Sequence, residues 1–286
     1  MAGSAPATKV VSILNLKGGV AKTTLTVALA EAFAIEGKRV LVVDIDPQCD
    51  TSIMLVGPEN LEKLHKKGRT LAPFLLQNKN ADELVDCLEP QVSDLRWVSD
   101  ISLLASDMKL ADAQNGLLPQ GQTVPRAALA KLLSQSQLRG LFDLVLIDCP
   151  PNFSILTQNA LATSHSYIIP AIPDYLSLTL AAARTKEYVE RLNSRRPKNP
   201  VKLAGIVITK YQANNKIHRH LTERRNNDNA AFWKDMLRNH IIPQTVGLTE
   251  AAQYDDSDDK RTHGEKYPDG LSKRFRDLAT ALWPRF

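Results

Sequence analysis

The sequence predicts an α/β protein built on a doubly wound, mostly parallel sheet flanked by helices. Three observations predict it. Runs such as Val10–Leu14, Val40–Val43 and Leu144–Ile147 are almost wholly Val, Leu and Ile, as strands buried on both faces require. These runs alternate with longer stretches of helical periodicity, the order that builds parallel sheets. Each also leads into a glycine-containing or acidic turn, at the strand end where ligands of such sheets bind.

Taken in order, residues 1–8 are small and polar and read as a loose tail, with no apolar core for a signal peptide. The first strand spans about 9–15, and its crossover helix about 22–36 is closed by Gly37. The strand Arg39–Val43 follows. From Thr51 to about Pro90 the pattern is helical and mixed, punctuated by Pro58, Gly68 and Pro73. Ile101–Ala105 is a short strand, and Asn115–Pro125, with two glycines and two prolines, reads as a surface loop. Pro125 suits the first turn of a helix reaching about Leu138. Then come the strand before Asp148, a short helix near 154–162, the strand Tyr167–Pro170 and a helix near 175–193. After the polar turn Arg195–Pro200, Val201–Thr209 is another buried strand, and Ile241-Ile242-Pro243 ends a last short one. Leu271–Phe286 is amphipathic, with Leu271, Phe275, Leu278 and Leu282 on one face. No repeat or linker divides the chain, so a single domain over 9–286 is expected.

Composition narrows the class. The 286 residues are 43% hydrophobic and 23% charged, ordinary for a soluble globular protein. Cys49, Cys87 and Cys149 are odd in number and lack C-x-x-C spacing, which argues against a disulfide framework or a structural zinc. No stretch approaches 18 consecutive apolar residues, so no membrane span is expected and a reducing cytoplasm is. The net charge of +5 fits a basic enzyme as well as a nucleic-acid binder.

The chemistry concentrates at Lys17-Gly18-Gly19-Val20-Ala21-Lys22-Thr23-Thr24, between the first strand and its helix. In that context backbone N–H groups and a helix N-terminus converge on a phosphate. Lys22 is placed to reach the β/γ-phosphates and the Thr23 hydroxyl to sit on Mg2+. The ordinary G-x-x-x-x-G-K-[ST] pattern fails at Leu16 and Ala21, and a second lysine, Lys17, opens the loop. A lysine there can reach forward to phosphate, including that of a neighbouring subunit. Ala21 is expected to have φ below zero, since alanine replaces a glycine there.

This loop resembles the deviant Walker A loop, K-G-G-x-x-K-[ST], of the ParA/MinD family of ATPases. Asp44-Ile45-Asp46-Pro47-Gln48 is similar to that family's D-x-D-P-Q motif, and Leu144–Asp148 followed by Cys149-Pro150-Pro151 to its Walker B strand. The resemblance runs from Lys9 to about Trp283. It implies a P-loop NTPase fold with ATP and Mg2+ as cofactors. It implies that Lys17, Lys22 and Asp46 are catalytic, Asp46 positioning the attacking water. It places Gly18 to Thr24 around the phosphates, Asp148 and Thr23 at the metal, and Asp44 in support of the metal or the loop. Pro150-Pro151 fits a switch that senses the γ-phosphate. Adenine contacts are implied at Thr209, Lys210 and Pro243. Cys149 reads as a small buried residue.

For partners, the resemblance implies a homodimer formed on ATP binding, non-specific DNA, and a ParB-like or other cargo adaptor that stimulates slow hydrolysis, in a cytoplasmic, nucleoid-associated protein. The arginines that related partition ATPases carry after the late strand and in the I-P segment are absent here. Instead Lys216, His218, Arg219, His220, Arg224 and Arg225 cluster, with Lys216, Arg219 and Arg224 at helical spacing for phosphate contact. Lys260, Arg261, Lys266, Lys273, Arg274 and Arg276 form a second basic group. A MinD-like membrane switch using the amphipathic terminal helix is the alternative. With the first strand beginning near Lys9, no N-terminal helix-turn-helix domain is expected.

Overall fold

Six strands pair in parallel throughout a computed structural model that describes residues 7–77, 79–115, 124–125, 127–134, 138, 140–223, 235–255 and 260–286. They are β1 (Lys9–Ile13), β2 (Val40–Asp44), β3 (Ile101–Leu104), β4 (Leu144–Asp148), β5 (Ser166–Ala171) and β6 (Lys202–Ile208), in the order β3-β2-β4-β1-β5-β6. All residues of β2, β4 and β5 are buried, which is why their sequences show no polar alternation.

Helices cover both faces. The first is α1 (Lys22–Ile35), followed by α2 (Asp50–Lys66), which is kinked where Gly57 takes φ 76° ahead of Pro58. Short helices α3 (Ala72–Leu76), α4 (Leu84–Cys87), α5 (Leu110–Asn115) and α6 (Ala128–Leu133) come next, then α7 (Ile155–Thr163). A π-helical segment, Tyr175–Ala181, runs into α8 (Ala182–Ser194). The remainder is α9 (Lys216–Glu223), α10 (Val246–Glu250), α11 (His263–Lys266) and α12 (Leu271–Leu282), closed by the turn Trp283–Arg285. One apolar layer joins the sheet to α3 through α8, the other joins it to α1, α2 and α12.

Two expectations change in detail, and the terminal amphipathic helix packs on the sheet. The helix expected from Pro125 is limited to α6, with Ser134 as its C-cap. Ile241–Pro243 is not a strand. Ile242 donates its N–H to the Ile208 carbonyl and accepts the Tyr211 N–H at its own carbonyl, but Pro243 has no N–H with which to extend the ladder. The apolar face of α12 is fully buried, Leu271, Phe275, Leu278 and Leu282 each being at most 1% exposed against α1 and the sheet. It therefore serves as core, and no described helix is long and apolar enough to cross a membrane.

The C-terminal segment is tied to α1 by a buried ionic cluster. Lys266 Nζ lies 2.7 Å from Glu31 Oε1 and 2.6 Å from Asp94 Oδ1, and the Tyr267 hydroxyl donates to Glu31 Oε2 at 2.6 Å. Arg261 also pairs with Asp94. Burial alone would lower the Lys266 ammonium, yet the two carboxylates hold it above its ordinary range. Lys260 donates to the Ser93 carbonyl and Lys273 pairs with Asp277. Within the second basic group, Arg261 and Lys266 are thus neutralised by carboxylates of the chain itself. Breaking a buried pair by removing one partner leaves uncompensated charge, so Lys266→Ala is expected to lower unfolding free energy by about 3–5 kcal/mol. Urea denaturation against the parent measures it.

Candidate functional site

The strands' C-terminal ends carry every polar group of interest. Asn15, just past β1, donates from Nδ2 to the Pro170 carbonyl at 2.8 Å and accepts the Lys17 N–H at Oδ1. The Thr209 hydroxyl, beyond β6, donates to the Val20 carbonyl at 2.9 Å. These bonds stake the loop to the ends of β5 and β6. Gly19 has φ 74°, and a Cβ built at Gly18 or Gly19 would meet nothing within 4 Å. Helix α1 begins behind them with no side-chain N-cap and no acidic residue in its first turn. Its leading N–H groups are therefore open to an anion.

Ala21 departs from expectation. It takes φ 63°, ψ 37°, the left-handed region, and not a negative φ. The chain must reverse there so that the Ala21 carbonyl can accept the first helical bond, from Leu25 at 3.0 Å. An L-residue in that region costs roughly 1–2 kcal/mol, strain that the anchored loop sustains.

The acidic groups sit in register. Asp148 is the Cα partner of both Ile13 and Asp44 across β4. Its Oδ2 accepts from Thr51 at 2.6 Å and Thr23 at 2.9 Å, while its Oδ1 is buried without a partner. Burial pushes this carboxyl up to about 6 against the opposing pull of the two hydroxyls and Lys22. Asp44 is fully buried and also pushed up, by burial and then by Asp148. Its Oδ2 accepts from Ser52 N–H and hydroxyl, and its Oδ1 from Asp46 N–H at 3.1 Å. Of the two roles expected for Asp44, these bonds fit support of the loop over contact with a metal. Asp46 is partly exposed. Burial raises its carboxyl, Gln48 N–H and Lys22 oppose this, and Ser106 holds its carbonyl at 2.7 Å.

The Lys22 ammonium makes no ion pair among the described residues and influences both Asp46 and Asp148. Lys17 instead pairs with Asp174 at 3.1 Å, and Asp174 caps the π-helical segment through Ser177 N–H. Among the described residues no three His, Cys, Asp or Glu form a metal cage. An orphaned buried carboxylate oxygen beside a threonine hydroxyl fits Mg2+, which is typically held by one or two carboxylates and substrate phosphates.

The remaining candidates divide. Lys210 takes φ 51°, Tyr211 bridges to Pro243, and Gln212 bonds Gln244, so the late strand and the I-P segment do meet. The Thr209 hydroxyl, however, is used on the loop. On α9, Lys216, Arg219 and His220 are exposed, while Arg224 and Arg225 lie outside the described residues. His218 is buried, its Nδ1 accepts from Gln212 N–H, and burial lowers its pKa, so it adds no surface charge. Cys149 is fully buried with its thiol pushed up by burial, consistent with an inert core residue. Asn15, Thr51, Ser52, Ser106 and Asp174 were not singled out from the sequence. Thr51-Ser52, directly after the acidic motif at the start of a helix, is the one visible signal among them.

This fold and site define a phosphate-loop nucleotide-binding protein. A family model described as AAA domain matches residues 8–200. The chain is 27% identical over 246 residues to the sporulation initiation inhibitor protein Soj of Bacillus subtilis, covering 86% of this chain and 88% of that one. It is 30% identical over 257 residues to the chromosome partitioning protein ParA of Caulobacter vibrioides, covering 88% and 86%. A solved ATP complex of a Cyanothece McdA point variant matches with TM-score 0.70 at 20% identity over 98% of this chain and 97% of that one. Cobyrinic acid a,c-diamide synthase of Mycobacterium smegmatis with ADP and magnesium matches with TM-score 0.66 at 25% identity over 96% and 94%. The chain belongs to the ParA/MinD family of deviant Walker A ATPases, among Soj-like partition ATPases.

The raised Asp148 carboxyl has a testable sign. Its folded pKa of about 6 exceeds the unfolded value of about 3.9, so the folded state holds the extra proton between them and stability falls as pH rises through that window. Relative to Asp148→Asn, the metal-free parent is expected to lose about 3 kcal/mol at most between pH 4 and pH 7. Denaturation of both proteins at the two pH values checks the difference.

Proposed function

We propose that this protein is a partition or positioning ATPase that binds ATP with Mg2+, dimerises face to face, coats DNA without sequence preference and is released when a cargo adaptor stimulates hydrolysis. The observation that carries it is the convergence of Lys22, Asp46 and Asp148 on one uncapped helix N-terminus, with Lys17 held by Asp174 at the start of the same loop. The relatives named for partitioning and the nucleotide-bound neighbours support it.

In this reading the N–H groups of Gly18 to Thr24 and the Lys22 ammonium bind the phosphates, with Thr23 and Asp148 holding the metal. Mg2+ held there would supply positive charge against the phosphates. Asp46, fixed by Asp44, Gln48 and Ser106, orients the attacking water, since phosphoryl transfer needs alignment more than covalent chemistry. Thr209, Lys210 and Pro243 lie on the side where the base would rest. Lys17 leaves Asp174 for the partner subunit's nucleotide. Exposed apolar side chains ring the same edge: Met108, Tyr175, Leu176, Ile217 and Val246 are 59–74% exposed. Such a ring around a charged site suits a second copy of the chain. DNA contact from Lys216, Arg219 and Arg224 would place the protein on the nucleoid in the cytoplasm. The cargo is a plasmid, a chromosome or another body tied to a ParB-like or different adaptor.

Lys22→Ala is expected to abolish ATP binding, and Asp46→Ala to bind ATP while hydrolysing it slowly. Near-normal turnover by Asp46→Ala removes that residue from catalysis. In gel shifts with ATP, ADP or no nucleotide, alanine at Lys216, Arg219 and Arg224 together should weaken ATP-dependent binding equally on all sequences.

A further inference from the structure

The N-terminal ends of the strands, opposite the nucleotide site, carry a recess that the fold leaves unfilled. Val10 and Leu41 are both register partners of Val145, so the three side chains form one level row on one face of the sheet. That row floors a recess of about 640 Å³, walled by Ala130 and Leu133 of α6 and Ala162 of α7. Two of these three helical positions are alanine, so the helices close over the row without filling the space. Such a volume lies within the roughly 300–1,000 Å³ of small-molecule sites, and its lining is mostly apolar, as theirs is.

A second recess, of about 720 Å³, adjoins the first, and Ala7, Thr8, Thr163 and His165 line both. This one is cationic. Lys9, Arg196, Lys198, Lys202 and Arg285 line it, with no aspartate or glutamate among the described residues. Its anionic group is the terminal carboxylate of Phe286, whose carbonyl oxygen is 3.5 Å from Lys9 Nζ. Arg196 donates to the Leu161 carbonyl at 2.7 Å and Arg285 to the Ala204 carbonyl at 3.1 Å. Carbonyls fix the positions of positive groups without neutralising them, which leaves their field for an outside anion. Lys198 and Lys202 are exposed and make no ion pair or side-chain hydrogen bond among the described residues. Where the recesses meet, His165 Nδ1 accepts the Val10 N–H at 3.0 Å, which leaves the proton of the neutral ring on Nε2.

We infer that the joined recesses bind a single-chain anionic amphiphile, its alkyl chain on the Val10–Leu41–Val145 row and its anionic head among the cations. The charge beside the apolar recess selects an anion, and the concave floor selects one chain. A polynucleotide would use the cations and leave the apolar row empty. A bilayer surface engages protruding apolar side chains, and none of the large exposed hydrophobics lines either recess. Neither recess shares a residue with the nucleotide site, so the amphiphile is a second ligand and stands apart from the partitioning reading.

Isothermal titration calorimetry with decyl phosphate below its micellar concentration is the test, beside octyl phosphate, 1-decanol and inorganic phosphate. One decyl phosphate is expected per chain. Octyl phosphate should bind about fifteenfold more weakly, since each buried methylene contributes about 0.8 kcal/mol. Lys198→Ala/Lys202→Ala should lose about tenfold in affinity for decyl phosphate and none for 1-decanol. Ala162→Phe, which fills the apolar half, should abolish binding of both. Unchanged thermal unfolding of the free variants shows that they fold, and the chain-length series needs no variant. Equal affinity of the parent and Ala162→Phe, several molecules bound per chain, or no gain from octyl to decyl overturns the inference. Inorganic phosphate binding as tightly as decyl phosphate does the same. Unchanged affinity in the lysine variant overturns the placing of the head. Binding of the protein to anionic phospholipid vesicles, without a one-to-one complex with decyl phosphate, overturns the single-chain occupant.

Discussion

In-register parallel pairing of β4 with β1 and β2 is the constraint on which the site depends. It sets Asp148 beside Ile13 on one side and Asp44 on the other, although these residues are separated by more than a hundred positions of sequence. A parallel register fixes which strand ends lie level, so the loop after β1, the acidic turn after β2 and the Asp148 carboxylate must emerge together. The hydroxyl of Thr23 then meets Asp148 with no further adjustment.

That arrangement is costly without ligand. Two buried carboxylates adjoin, one oxygen lacks a partner, Ala21 is left-handed, and Lys17 is occupied by Asp174. A phosphate-bound cation would relieve the first two, the adjoining carboxylates and the unpartnered oxygen, and backbone strain such as that at Ala21 gathers where function needs it. Stability is supplied elsewhere. The Lys266–Glu31–Asp94 cluster and the apolar face of α12 clamp α1 from the side away from its N-terminus. The helix is thereby rigid at its body and open at its leading end.

Much of this was legible in the sequence, for identifiable reasons. Uninterrupted Val, Leu and Ile runs announce strands buried on both faces, and the lysine, glycine and aspartate positions announce the strand ends that carry chemistry. The sign of φ at Ala21 was not legible, since a turn's handedness comes from how the loop is staked by Asn15 and Thr209. Nor were Ser106 and Asp174, whose partners Asp46 and Lys17 are distant in sequence. Lys266 misled because a lysine among arginines and lysines reads as surface charge. Only the fold shows that Glu31 and Asp94 await it. The stretch Ile241–Pro243 misled by its apolar residues, where proline ends the pairing.

In the proposed function, nucleotide at the strand C-termini turns one chain into a face-to-face pair. Sedimentation velocity measures it directly, with the protein alone, with ADP and Mg2+, and with a non-hydrolysable ATP analogue and Mg2+. A shift from the 31.6 kDa chain to twice that mass with the ATP analogue only, lost in Lys17→Ala, is the expected result. A single species unchanged across all three states would contradict it.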